Sequence, residues 1–246
     1  MSKIKAMLLL LVTAALFSGL SIAVVSQNQA PKKSKQEKRL TQTKESQAAL
    51  NPAEALKLLK EGNLRFVAGR TINRDLRAQV KETSEGQYPY AVILSCQDSR
   101  TSSDLLFDLN KGDAFSLRIA GNVVNEDILG GMEFGTKVAG AKLIAVIGHT
   151  KCGAIYGACD DVKMGNLTGL LDRIKPAIKD VSETIQPRDS KNPAFVNAVT
   201  EQNVRYQMRM VREKSPILRE MIDKGEVGLV GGIYDISTGK VEFFEK

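Results

Sequence analysis

Two short apolar runs, Ala91–Ser95 (AVILS) and Leu143–Gly148 (LIAVIG), constrain this chain more than any other feature. Both are continuous rather than alternating, and both carry β-branched residues. A strand with one wet face alternates apolar and polar residues; a strand buried on both faces does not. The runs therefore predict parallel strands inside a sheet that is covered on both sides. Each run leads into a segment of reactive side chains. The first is Cys96-Gln97-Asp98-Ser99-Arg100, the second His149-Thr150-Lys151-Cys152-Gly153. In open α/β sheets, ligands sit beyond the carboxyl ends of the strands. Adjacent strands would bring the two segments together.

The remaining pattern fits such a sheet. Strands are expected over Tyr90–Cys96, Ala114–Ile119, Lys142–Gly148 and Glu226–Ile236, with a turn at Ser237–Lys240 and an antiparallel return over Val241–Phe244. Helical stretches alternate with them. Asn51-Pro52-Ala53-Glu54 reads as a helix start, with Asn as N-cap, Pro in the first turn and Glu placed for a capping box. That helix runs to about Ala68, with Gly69 as its stop. Residues 70–88 are polar and read as irregular or partly helical. A short helix is expected at Ser103–Asp108. Another opens at Asn125 or Glu126 and continues through Val138 to Gly140. Further helices follow at Thr150–Ala158, at 165–181 with a break at Pro176, at Asn192–Lys214 and at Ser215–Asp223. The fold class is α/β, with a mostly parallel central sheet flanked by helices. About four strands are parallel and the C-terminal edge strand is antiparallel. No internal repeat is present.

Charge divides the chain. Of the formal net charge of +7, residues 1–45 hold +6, from eight Lys/Arg against Glu37 and Glu45. The body is nearly neutral, which argues against nucleic-acid binding, since that needs a basic face. Lys3 and Lys5 precede an apolar run from Met7 to about Val25, with Ser21-Ile22-Ala23 as a small-x-small site. Residues 1–30 read as a signal peptide, or as an uncleaved membrane anchor, since the run nearly reaches the ~20 residues needed to span a bilayer. No cysteine lies there, so a lipoprotein anchor is excluded. Residues 31–50 read as a disordered basic linker and 51–246 as the functional domain. Either N-terminal reading places that domain outside the cytoplasm, most simply in a periplasm. Three cysteines, Cys96, Cys152 and Cys159, sit awkwardly with an oxidising compartment. A metal-bound thiolate pair plus one buried thiol explains the odd number.

Two sulfurs and one imidazole form a borderline-soft donor set that suits tetrahedral zinc. His149 is the only histidine in the chain. Taken singly, Cys96, Cys152 and His149 are better read as buried core residues. Their conjunction with Asp98 and Arg100 favours a metal site with one ion per subunit. Asp98 can fill the fourth position itself, or accept a hydrogen bond from a water there. Arg100, two residues on, can hold Asp98 by a bidentate pair and turn it toward one option.

The conjunction of Cys96-Gln97-Asp98-Ser99-Arg100 with Gly148-His149-Thr150-Lys151-Cys152-Gly153-Ala154 resembles the β-class carbonic anhydrases. The likeness extends to Phe107-Asp108, Gly112-Asp113, Arg118-Ile119-Ala120-Gly121-Asn122, Ser215-Pro216-Ile217-Leu218 and Tyr234–Val241, all similar to the bacterial branch. It covers roughly Asn51 to Phe244. Two departures stand out. Thr101 replaces the usual apolar residue after the arginine, and Ser102 and Ser103 replace the usual prolines. The resemblance implies reversible hydration of carbon dioxide to bicarbonate by attack of zinc-bound hydroxide. Cys96, His149 and Cys152 would be metal ligands, with Asp98 as a fourth ligand or, with Arg100, as catalytic pair. It implies two arrangements, an open one with Asp98 paired to Arg100 and a closed one with Asp98 on the metal; the open one is expected at neutral or higher pH. Ala120, Gly121 and Val123, with Asn122, are candidate substrate-binding positions by family position. Gly153 at a helix start is a further candidate, for presenting N–H groups to an anion. The resemblance also implies a homodimer or homotetramer in which the Asn51–Ala68 helix embraces the partner. Three other readings stay open: hydrolysis of a carbon dioxide analogue such as carbon disulfide, a non-catalytic zinc protein, and thiol-redox chemistry at Cys96 and Cys152.

Overall fold

The continuous apolar runs become the middle of a five-stranded sheet. A computed structural model of the chain describes residues 41–244. The strands are β1 (Ala91–Ser95), β2 (Ala114–Arg118), β3 (Leu143–His149), β4 (Gly228–Tyr234) and β5 (Val241–Phe244), in the order β2-β1-β3-β4-β5. The first four are parallel and β5 is antiparallel to β4. β1 and β3 are neighbours in register, from Ala91 opposite Leu143 to Ser95 opposite Ile147. The residues that follow, Cys96 and Gly148-His149, therefore leave the sheet side by side. β2 ends level with them, Ser95 lying opposite Arg118.

Alternation along these strands sorts the core into two faces. Ala91 and Ile93 of β1 and Leu143, Ala145 and Ile147 of β3 pack on one side, with Leu56, Leu59 and Phe107. Helix α2 (Pro52–Val67) supplies the two leucines. Its expected capping box is present: Asn51 Oδ1 accepts from the Glu54 N–H at 2.9 Å, and Glu54 Oε2 accepts from the Asn51 N–H at 2.8 Å. On the other side Val92, Leu94, Ile144 and Val146 meet Ile128 and Met132, and Val204, Met208 and Val211. These come from α5 (Glu126–Glu133) and α9 (Pro193–Lys214). At Gly148 a β-carbon would lie 2.7 Å from Val204 Cγ2, so only glycine lets the long helix settle on the end of β3. A third apolar cluster, with Ile155, Leu171, Ile174, Phe195 and Val199, continues past the strand ends and encloses Cys96 and Cys152.

Three segments differ from expectation. The linker expected to be disordered over 31–50 is ordered from residue 41. Helix α1 (Lys44–Ala48) is capped by Thr43, and buried Gln47 donates from Nε2 to Pro89 O at 2.6 Å and Ala139 O at 2.8 Å. Thr41 reaches Glu82 Oε2 at 2.9 Å, on α3 (Leu76–Glu82). Side-chain hydrogen bonds to the body, invisible to composition, anchor this polar stretch. The first part of the linker and the targeting segment expected over 1–30 lie outside the described residues. The helix expected to run to Val138 is α only to Glu133 and continues as one wider π turn, Phe134–Val138. The 165–181 stretch breaks before Pro176: α7 (Gly165–Asp172) ends ahead of it and α8 (Lys175–Lys179) takes the proline in its first turn, where its missing N–H is harmless.

Candidate metal centre

Cys96 follows β1, and His149 is the last residue of β3. Cys152 is the N-cap of α6 (Gly153–Cys159). Lys151, with a φ of +55°, turns the chain so that this helix starts against the sheet end. The three side chains are buried and converge, their ligand atoms all within 4.8 Å of one another. The sulfurs of Cys96 and Cys152 are 3.9 Å apart. That is nearly twice a disulfide bond, and close to the ~3.8 Å that two sulfurs about 2.3 Å from a tetrahedral ion would show. His149 Nδ1 lies 2.9 Å from Thr150 O, a carbonyl that can only accept. Nδ1 therefore carries the proton and Nε2 presents a lone pair. That Nε2 is buried and finds no protein partner.

The sulfurs are electrostatically unequal. The thiol of Cys96 is held well below the ordinary range, first because Cys152 donates to it. Burial opposes this; the backbone N–H groups of Asp98 and Gly121 add to it, each donating to Sγ at 3.4 Å. Cys152 is pushed up by the same bond to Cys96, by burial and by the negative charge next to it; the N–H groups of Ala154 and Ile155 oppose that. The pair thus carries one negative charge readily and a second only when a cation sits beside it. Two soft donors, a lone pair without a partner and charge waiting for a cation fit zinc.

Asp98 stands at the rim. Its Oδ2 is 4.0 Å from His149 Nε2. Arg100 holds the carboxylate with Nε to Oδ1 at 2.8 Å and Nη2 to Oδ2 at 2.7 Å, and its backbone N–H also donates to Oδ1 at 2.9 Å. This pairing keeps the Asp98 carboxyl well below the usual carboxylate range, despite an opposing contribution from burial.

The candidate substrate positions fall in a 3₁₀ turn, Ala120–Asn122, beside Cys96. Gly121, with a φ of +65°, gives its N–H to Cys96. Ala120 and Val123 are buried and apolar. Asn122 is buried with Nδ2 lacking a protein partner. Gly153 is exposed at the start of α6, while the next two N–H groups serve Cys152. Cys159 is a free, half-buried thiol whose pKa burial raises to about 11.

Four residues complete the surroundings: Thr101 and Arg118, which the sequence brought to notice without a role, and Asn203 and Gln207, which it did not bring to notice. Thr101 Oγ1 reaches Cys96 O at 2.7 Å and Asp98 O at 2.9 Å. Arg118 donates to the same two carbonyls, from Nε at 3.3 Å and Nη2 at 2.6 Å. The departure at Thr101 thus has a physical use, because an apolar residue could not tie this loop. Asn203 and Gln207, buried on α9, bond to the turn that follows β2. Their signal was present as two carboxamides four apart within an apolar helical stripe.

Comparison with known proteins agrees with this geometry. The family model described as carbonic anhydrase matches residues 91–241. The chain is 34% identical over 200 residues to carbonic anhydrase 2 of Mycobacterium tuberculosis, covering 77% of this chain and 91% of that one. It is 31% identical over 198 residues to the carbonic anhydrase of Mycolicibacterium smegmatis, covering 78% and 93%. Its fold is similar to a tetrameric β-carbonic anhydrase from Sordaria macrospora, at 24% identity and a TM-score of 0.62, with 68% of this chain and 85% of the other covered. With its two motifs brought together at the ends of β1 and β3, the chain belongs to the carbonic anhydrase family and carries the β-class fold.

Proposed function

We propose that this protein catalyses the reversible hydration of carbon dioxide to bicarbonate, with one zinc ion per chain held by Cys96, His149 and Cys152. The observation that carries this reading is the convergence of two sulfurs and the unpartnered His149 Nε2 on one buried point. Zinc bound there would supply a Lewis acid able to bring the pKa of a coordinated water to about 7. The chain's own residues do the rest. Asp98, kept ionised by Arg100, holds its Oδ2 4.0 Å from His149 Nε2, at the edge of that point. It takes a hydrogen bond from the reacting water and so aims the oxygen lone pair at carbon. Arg100 keeps the carboxylate from swinging inward to become a fourth ligand. Thr101 and Arg118 fix the backbone from which Asp98 projects. The apolar turn with Ala120, Gly121 and Val123 suits a small linear substrate that makes no strong hydrogen bonds. Asn122 adds a donor, and Gly153 the open start of α6. The only histidine would serve as a ligand, so the released proton passes to water or buffer.

The proposal has a direct test. Carbon dioxide hydration is followed by stopped flow on purified, chelator-stripped and zinc-restored protein. A rate lost on stripping and regained with zinc supports the reading; stripped protein as active as the starting material contradicts it.

We place this activity outside the cytoplasm, on the strength of the charged start and apolar run within residues 1–30. Cell fractionation checks this, and recovery of the protein only from cytoplasm contradicts it. A homodimer or homotetramer is the favoured assembly. The outer edge of β2 has no strand partner among the described residues, and apolar Leu105, Phe134 and Val138 are exposed. Light scattering showing a monomer at working concentration contradicts it.

A further inference from the structure

Helix α9 carries its buried stripe as Val196, Val199, Val204, Met208 and Val211, and inserts two carboxamides into it, Asn203 and Gln207, each 1% exposed. A buried amide without partners costs about 1–3 kcal/mol. These two are fully engaged, and their bonds run in one direction. Val124 N–H donates to Gln207 Oε1 at 2.8 Å. A backbone N–H can only donate, so the Gln207 oxygen is fixed there and its Nε2 must face the other way. Nε2 donates to Asn203 Oδ1 at 3.0 Å and to Arg173 O at 3.3 Å. Asn203 is thereby turned too, and its Nδ2 donates to Gly121 O at 2.8 Å. Gly121, the next link, gives its own N–H to Cys96 Sγ at 3.4 Å. The amide orientations follow from one another, beginning at a main-chain group whose role is not in doubt.

We propose that Asn203 is a positioning residue for Cys96: by holding the Gly121 carbonyl it fixes the backbone torsions of Gly121, so that the N–H on the other side of the same α-carbon stays aimed at the sulfur, and Gln207 locks Asn203 in turn. The inference rests on the reading of Cys96 as a zinc ligand. Cys96 has two backbone donors, Asp98 N and Gly121 N. The first is tied through its own loop by Thr101 and Arg118. The second sits in a glycine turn with a positive φ, which has no side chain of its own to hold it. Helix α9 supplies what the turn lacks. Groups that orient a metal ligand from behind typically matter 10–100-fold in metal affinity.

The test uses cobalt(II) as a coloured substitute for zinc in the full chain. Three variants are compared with wild type: Asn203→Leu, which keeps the shape and removes the amide; Gln207→Met, which frees Asn203; and Val211→Ala, a core change on the same helix outside the chain of bonds. The readouts are the thiolate-to-cobalt absorption band and the affinity from competition with a chelator, both well below each melting temperature. Asn203→Leu is expected to shift the band and weaken binding about tenfold, and Gln207→Met to do the same to a smaller extent. Val211→Ala should lower the melting temperature and leave both readouts alone. Asn203→Leu and Gln207→Met proteins with the wild-type band and affinity would overturn the proposal. Should Asn203→Leu not fold, Gln207→Met decides. The zinc-ligand reading fails separately, if wild type shows no thiolate band or if Cys96→Ala binds cobalt as tightly as wild type.

Discussion

Arg100 grips the carboxylate of Asp98 with two parallel hydrogen bonds, 2.8 and 2.7 Å long, while Oδ2 of that carboxylate stays 4.0 Å from His149 Nε2. Both oxygens of Asp98 are thus committed to the guanidinium, while Oδ2 also faces the point where Cys96, His149 and Cys152 converge. Arg100→Ala should free the carboxylate to turn inward. It should lower kcat/KM for carbon dioxide hydration by about 10–100-fold with metal content unchanged. Arg100→Lys should recover only part of this, since an ammonium is a point charge and cannot make the parallel pair. An unchanged kcat/KM in Arg100→Ala, measured by stopped flow, would count against the role.

Gly121 combines a positive φ with a tight approach. A β-carbon there would lie 2.6 Å from Ile174 Cδ1. Gly121→Ala should destabilise by about 2 kcal/mol or more, of which the backbone conformation accounts for about 1–2 kcal/mol. Ile174→Val removes the clashing methyl and alone should cost about 0.5–1.5 kcal/mol. The double variant should be less destabilised than the sum of the two single changes. Strict additivity in urea denaturation would show that the clash does not operate.

Asp113 predicts a pH dependence of stability. Its Oδ2 accepts from Asn110 N at 2.8 Å and Asn110 Nδ2 at 3.1 Å, while Oδ1 is buried without a partner. Burial raises its pKa from 3.8 to about 6, against the Asn110 bonds and the attraction of Arg74, with Asp104 adding repulsion. The folded pKa lies above the unfolded one. The stabilisation it brings is therefore complete below about pH 4 and is lost as pH rises through about 6. The loss is on the order of 3 kcal/mol. Urea denaturation at pH 4.5, 6 and 7.5 should show a downward trend in wild type that is flatter in Asp113→Asn. Parallel trends in the two proteins would rule out Asp113 as its source.

Gln47 fastens the start of the ordered chain by donating to two main-chain carbonyls, Pro89 O and Ala139 O. Gln47→Ala should destabilise by about 1–2 kcal/mol and open residues 41–50 to limited proteolysis. Wild-type resistance in the variant would mean that other contacts hold α1.

The sequence made the sheet and the site legible for one reason. The unbroken apolar runs of β1 and β3 end in the motifs, so reading the strands already located the chemistry. The capping signals at Asn51, Asn192 and Ser215 were equally local and equally readable. What escaped were long-range polar contacts. Gln47 bonds to a carbonyl 92 residues away, and Asn203 to one 82 residues away. Gln47 is not distinguishable in sequence from a solvated amide, and Asn203 only by its place with Gln207 in an apolar helical stripe. Thr101 stood out only as a departure, and its hydrogen bonds to the Cys96 and Asp98 carbonyls supply the reason.

The central claim is that Cys96 holds the ion on which catalysis depends. The most direct measurement is stopped-flow carbon dioxide hydration with metal analysis, on protein lacking residues 1–30, with Cys96→Ala in parallel. The account predicts about one zinc per chain and rapid hydration in the former. In Cys96→Ala it predicts zinc well below that ratio and a rate near the uncatalysed one. Equal rates from the two proteins would contradict it.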